Sequence, residues 1–161
     1  MELTEAGSSW YSVAVSGRFD PEDPLIRFIA AWISFNALYE SMYPNQRERQ
    51  QITRIAENSE FADCHQQLLS NQNYSRAANY IGSRGVVNLR NNETVGLESV
   101  ASLSELLLAV YQVRCNLFHG GKRIESNRDR ELCAAGFIIV CNLLSFHQTR
   151  SYVADFEAYF K

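Results

Sequence analysis

The sequence predicts an all-α fold, a single-domain helical bundle with an irregular N-terminal arm and a long loop ahead of one informative helix. Three observations carry that prediction. Apolar residues recur at steps of three and four along three long stretches, about 24–43, 97–118 and 127–148. Strong stop signals close the first two, Pro44 and the pair Gly120-Gly121. A length of 161 residues, 46% apolar and 20% charged, suits one core and no disordered tract. No internal repeat, low-complexity tract or linker divides the chain, so residues 1–161 read as one domain.

Residues 1–20 form the arm, in which Gly7-Ser-Ser and Gly17 argue against a long helix and Trp10, Tyr11, Val13 and Val15 supply apolar contacts. Pro21 and Pro24 frame the next start, with Asp20 or Asp23 as N-cap. The first long helix then presents Leu25, Phe28, Ile29, Trp32, Phe35, Asn36 and Tyr39 on one broad face. Asn36 is the polar exception there and, if buried, requires a hydrogen-bond partner. A Gln- and Arg-rich segment follows, with Ile52, Ile55 and Ala56 marking an amphipathic helix and Arg47, Arg49 and Arg54 its solvated face. Ser59 opens a helix to Leu69 carrying Phe61, Cys64, His65 and Leu68, and Tyr74 to Ile81 forms another, ended by Gly82.

Turn residues fill 82–96, with Val86-Val87-Asn88-Leu89 as a short extended piece and Arg84 and Arg90 as the basic side chains nearby. The informative helix runs over 97–119. The last long helix covers about Asn127 to Gln148, opened by a capping box from Ser126 and Asp129, and its Gly136 allows close helix approach. Tyr152, Val153, Phe156, Tyr159 and Phe160 place an aromatic face on a short terminal helix.

The net charge of −3 excludes a generic polyanion binder. Five basic residues from Arg114 to Arg130 face two acidic ones, so this segment is +3 and suits one or two phosphates rather than a long duplex. Cys64, Cys115, Cys133 and Cys141 form no C-x-x-C pair and no zinc-finger spacing, so no metal or other cofactor is expected. With no signal peptide and no apolar run of membrane length, the sequence predicts a soluble protein of the reducing cytoplasm.

The chemistry concentrates in Arg114-Cys115-Asn116-Leu117-Phe118-His119-Gly120-Gly121-Lys122-Arg123. Leu103, Leu107, Val110, Arg114 and Leu117 share one helix face, so Arg114 stands where an apolar residue belongs. A guanidinium does not lose its charge, so it needs either a protein carboxylate, with Glu40 a candidate, or the phosphate of a ligand. His119 falls at the negative end of the helix dipole, which favours imidazolium and suits proton exchange near neutral pH. Five residues separate two side chains by about 140° around a helix axis and ~7.5 Å along it. Arg114 and His119 therefore converge only if the helix ends first or a second copy supplies the missing half.

Arg-x-x-x-x-His before Gly-Gly-Lys resembles the HEPN family, particularly its Apea-like branch. The run from Phe28 to Glu40 resembles that branch's first long helix, so the likeness spans about residues 24–123. The resemblance implies a dimeric helical bundle acting as a metal-independent endoribonuclease. On that pattern Arg114 and His119 are catalytic: Arg114 holds the scissile phosphate, and His119 moves protons at the 2′-hydroxyl or the leaving oxygen. Asn116, Lys122 and Arg123 are the substrate-binding candidates, and Tyr111 is placed to stack on a base or to pack. The position after the arginine, typically polar and often Asn in the family, is Cys115 here. Three functions remain open: an endoribonuclease with a toxin or antiviral role, a catalytically silent RNA- or nucleotide-binding module, and a dimeric interaction protein that binds an antitoxin.

Overall fold

The computed structural model describes residues 3–16, 23–118 and 127–145. They form an all-α architecture: α1 (Glu5–Ser16), α2 (Pro24–Met42), α3 (Glu48–Glu57), α4 (Ser59–Leu68), α5 (Gln72–Arg84), α6 (Leu103–Phe118) and α7 (Asn127–Ser145), with a small hairpin of β1 (Val86–Val87) and β2 (Thr94–Val95). One apolar cluster joins them, including Tyr11, Phe28, Ile52, Phe61, Ile81, Val86, Leu107 and Ile139.

The N-terminal arm corrects the sequence reading, because α1 is a helix. Thr4 caps it, its Oγ1 accepting from the Gly7 amide at 3.1 Å. Gly7 serves packing rather than breaking: a Cβ there would lie 3.3 Å from the Ala37 Cβ on α2. Arg27 of α2 closes the other end, donating from Nε to the Ala14 carbonyl (3.1 Å) and from Nη2 to the Val15 carbonyl (3.0 Å). The same guanidinium lies 4.6 Å over the Phe137 ring of α7. An arginine eleven residues beyond the helix thus satisfies carbonyls that α1 leaves open.

Asp23 is the N-cap of α2, its Oδ1 accepting from the Leu25 amide at 2.9 Å. Helix α7 is buried on every side from Leu132 to Leu144, as a helix apolar around its circumference must be. It packs against α2, α5, α4, α6 and α1. Gly136 gives the close approach expected of it, since a Cβ there would meet Phe28 Cε2 at 2.7 Å.

Gly85, at φ +65°, ends α5 and turns the chain into the hairpin, where Val86 pairs with Val95 and Val87 with Thr94. The next helix begins later than the apolar pattern suggests. Ser102 Oγ accepts from the Glu105 amide at 3.3 Å, and Glu105 Oε2 accepts from the Glu98 and Ser99 amides. The loop therefore extends to Ser102, and the Ser-x-x-Glu pattern at 102–105 marked that start. The expected cap at Ser126 and the aromatic tail beyond 145 lie outside the described residues.

Candidate functional site

Helix α6 carries Arg114 and Asn116, and three contacts fix where it sits. His65 and Gln66 of α4 grip the loop ahead of it: His65 Nε2 is 2.9 Å from the Val100 carbonyl, and Gln66 Nε2 donates to the Ala101 carbonyl at 3.1 Å. Helix α3 packs along one flank of α6, and the hairpin packs along another.

Arg114 lies near the end of α6, half-buried at 27% exposure, at the edge of the core-facing surface. Its acceptor is Glu48, the first residue of α3, with Nη1 3.1 Å from Oε2. Glu40, the acid nominated from spacing, is exposed on α2. The expectation that this charge needs a carboxylate or a phosphate is thus met from within the chain, by a different acid. The other oxygen of Glu48 accepts from the Tyr39 hydroxyl at 2.5 Å, and Tyr39 Oη accepts from Asn36 Nδ2 at 2.8 Å. Asn36, Tyr39, Glu48 and Arg114 form one chain of donors and acceptors from α2 through α3 to α6. Burial raises the Tyr39 phenol far above its ordinary range, and the bond to Glu48 adds to that, so Tyr39 remains a neutral donor.

Arg114 is held to Glu48 by that one contact, whereas a guanidinium can offer two parallel N–H groups to a carboxylate. Its Nε is buried and has no hydrogen-bond partner. Two rings flank the guanidinium, Phe118 at 5.0 Å and Tyr111 at 6.0 Å from ring centre. Phe118 is 57% exposed, an open apolar surface beside the cation. Tyr111 packs on Trp32 with centroids 6.1 Å apart and planes 28° apart, so its ring belongs to the interior packing rather than to a free stacking face. Burial pushes its hydroxyl up to about 12, helped by a hydrogen bond with the Cys115 side chain.

Asn116 takes a different part from the one expected. Two residues along a helix place side chains about 160° apart, so Asn116 faces away from Arg114. Its Nδ2 donates to the Val87 carbonyl at 2.7 Å, and its Oδ1 accepts from Gln112 Nε2 at 2.9 Å and the Leu89 amide at 3.3 Å. Those bonds fasten the hairpin to α6 and leave the residue 4% exposed, so it holds the fold rather than a ligand. His119, Lys122 and Arg123 lie outside the described residues. Arg84 lies 4.3 Å over the Tyr80 ring of its own helix α5, and Arg90 is exposed near the hairpin tip.

Sequence reasoning placed Tyr39 on an apolar face but missed its part here, and it passed over Glu48. A phenol on a buried face needs a partner, and that was the available signal. No local spacing links Glu48 to Arg114. Among the described residues, no three His, Cys, Asp or Glu side chains converge as a metal site, and no helix is long and apolar enough to cross a membrane. Comparison with family models, curated proteins and solved structures returns no match for this chain.

Proposed function

We propose that the chain is a metal-independent endoribonuclease of HEPN type, acting as a homodimer in the cytoplasm with a toxin or antiviral role. The observation that carries this reading is Arg114, a half-buried cation near the end of α6 with a buried, unsatisfied Nε, five residues before His119. RNA brings its own nucleophile in the 2′-hydroxyl, so an enzyme need supply only charge stabilisation and proton transfer. Arg114 supplies the first to the scissile phosphate. His119 supplies the second, and Lys122 and Arg123 hold flanking phosphates. A two-fold interface brings the same surface of each copy together, which joins the arginine of one to the histidine of the other. The reaction leaves a 2′,3′-cyclic phosphate.

Incubation of RNA with the protein in EDTA, followed by analysis of the 3′ ends, tests the reading. Cleavage to cyclic phosphate termini, lost in a folded His119→Ala variant, is the expected result. Cleavage retained in that variant rejects the role of His119, and a strictly monomeric mass in solution rejects the composite site.

A second reading rests on Glu48 and Cys115. The charge of Arg114 is already balanced inside the chain, and Cys115 is engaged with Tyr111. These fit a catalytically silent module of the same fold that binds RNA, a nucleotide or an antitoxin protein. RNA retention without cleavage, weakened by salt and by Arg114→Gln, would select its RNA-binding form.

A further inference from the structure

Glu48 is the first residue of α3, at the helix end whose free amides favour negative charge, and both of its oxygens are engaged from outside α3. Tyr39 donates to one, and Asn36 in turn fixes Tyr39. The carboxylate therefore keeps a strong donor and a favourable helix end even when Arg114 leaves. Arg114 is less well served. It makes one contact to Glu48, its Nε is buried without an acceptor, and the side chain retains 27% exposure, so water and ligands reach its edge. An unsatisfied buried donor is an unfavourable term that movement towards a better acceptor removes. A phosphodiester, with two non-bridging oxygens, matches the guanidinium fork that Glu48 engages at a single point.

We infer that Glu48 is a resident counter-ion, seated on Tyr39 and Asn36, which holds Arg114 in the free protein and yields it to the phosphodiester of a single-stranded RNA. This rests on the proposed ribonuclease reading and adds a residue that sets the affinity of its site. Glu48 competes with substrate for Arg114, while Tyr39 favours substrate, because it stabilises the carboxylate left behind. The two residues touch, yet their substitutions shift affinity in opposite directions. A merely structural network would weaken binding in both cases.

The test measures binding of a fluorescent single-stranded oligoribonucleotide with 2′-O-methyl sugars, which bears phosphodiesters but no nucleophile. Wild type is compared with Arg114→Gln, Glu48→Gln, Glu48→Asp and Tyr39→Phe, each checked for a wild-type thermal transition. Arg114→Gln lowers affinity at least roughly tenfold, the scale of a charge-assisted contact. Glu48→Gln raises it about fivefold, the scale of a partly exposed ion pair. Glu48→Asp, which keeps the charge but withdraws it by a methylene, also raises it. Tyr39→Phe lowers it about threefold, the scale of one hydrogen bond. If Arg114→Gln abolishes binding while Glu48→Gln weakens it or leaves it unchanged, the counter-ion role is overturned and the anion-binding reading stands. If Arg114→Gln binds as wild type does, or no form binds, both are overturned.

Discussion

Two polar networks inside this bundle share ingredients but not completeness. Around His65, a fully buried imidazole lies between the Tyr74 hydroxyl, 2.7 Å from Nδ1, and the Val100 carbonyl, 2.9 Å from Nε2. A carbonyl only accepts, so Nε2 carries the proton and Nδ1 accepts from Tyr74. Every polar atom of the ring is matched. Around Arg114, the chain from Asn36 through Tyr39 and Glu48 reaches the surface, a guanidinium N–H stays unmatched, and an exposed phenylalanine stands beside it. A closed buried network fixes geometry and resists exchange with any ligand, whereas an open one at the edge of the core has unused bonding capacity. The first positions the start of α6, and the second occupies its end.

Breaking the closed network has the largest effect. His65→Leu leaves the buried Tyr74 hydroxyl and the half-buried Val100 carbonyl without the imidazole and costs about 2–4 kcal/mol, read from the urea midpoint at constant slope. Wild type carries a pH signature that the variant lacks. Burial holds the His65 pKa below its ordinary value, and the bonds to Val100 and Ala101 only partly oppose this. The unfolded chain, with its histidine near pKa ~6.5, therefore takes up a proton as pH falls while the folded chain resists it. Stability is full above that value and declines as pH drops below it. An acid-side decline equally steep in His65→Leu would show that other groups cause it.

Cutting the hairpin away from α6 has a smaller effect. Asn116→Ala removes the side-chain bonds to Val87, Leu89 and Gln112 and costs roughly 1–2 kcal/mol. Hydrogen exchange sharpens the comparison: amides of β1 and β2 lose protection while those of α4 and α5 keep theirs, since the His65 network is untouched. Uniform loss across the molecule would mean that Asn116 supports the whole core. On the proposed ribonuclease reading, RNA cleavage by this variant matches wild type, as its position away from Arg114 requires.

The contrast also explains what the sequence could and could not convey. Helix periods, the Asp23 cap and the close approach at Gly136 are written in spacings of a few residues, so they were legible. Helix α1 was not, because its glycine makes contact with a helix thirty residues away and its C-terminal carbonyls are satisfied by Arg27. The apolar stripe of α6 showed that Arg114 needed an anion, since a charge among leucines is conspicuous whatever surrounds it. It could not say which one, because Glu48 reaches Arg114 from a separate helix. Asn116 misled for a related reason: close to Arg114 in sequence, it lies on the other side of the helix in space, and besides Gln112 its partners are backbone atoms of a hairpin that helical periodicity does not reveal.

The smallest expected stability change belongs to the residue with the clearest functional one. Glu48 and Arg114 are 23% and 27% exposed, so solvent screens their attraction, and Glu48→Gln changes unfolding free energy by under about 1 kcal/mol. The amide still accepts from Tyr39, and water reaches the guanidinium that it releases. Chemical denaturation of Glu48→Gln beside His65→Leu thus sets two buried-side polar groups on one scale. A loss of several kcal/mol in Glu48→Gln would place the ion pair with the His65 network as a fixed support. Near-neutral stability combined with tighter oligoribonucleotide binding is the outcome that follows if this end of α6 is held ready for an anion rather than locked by its own carboxylate.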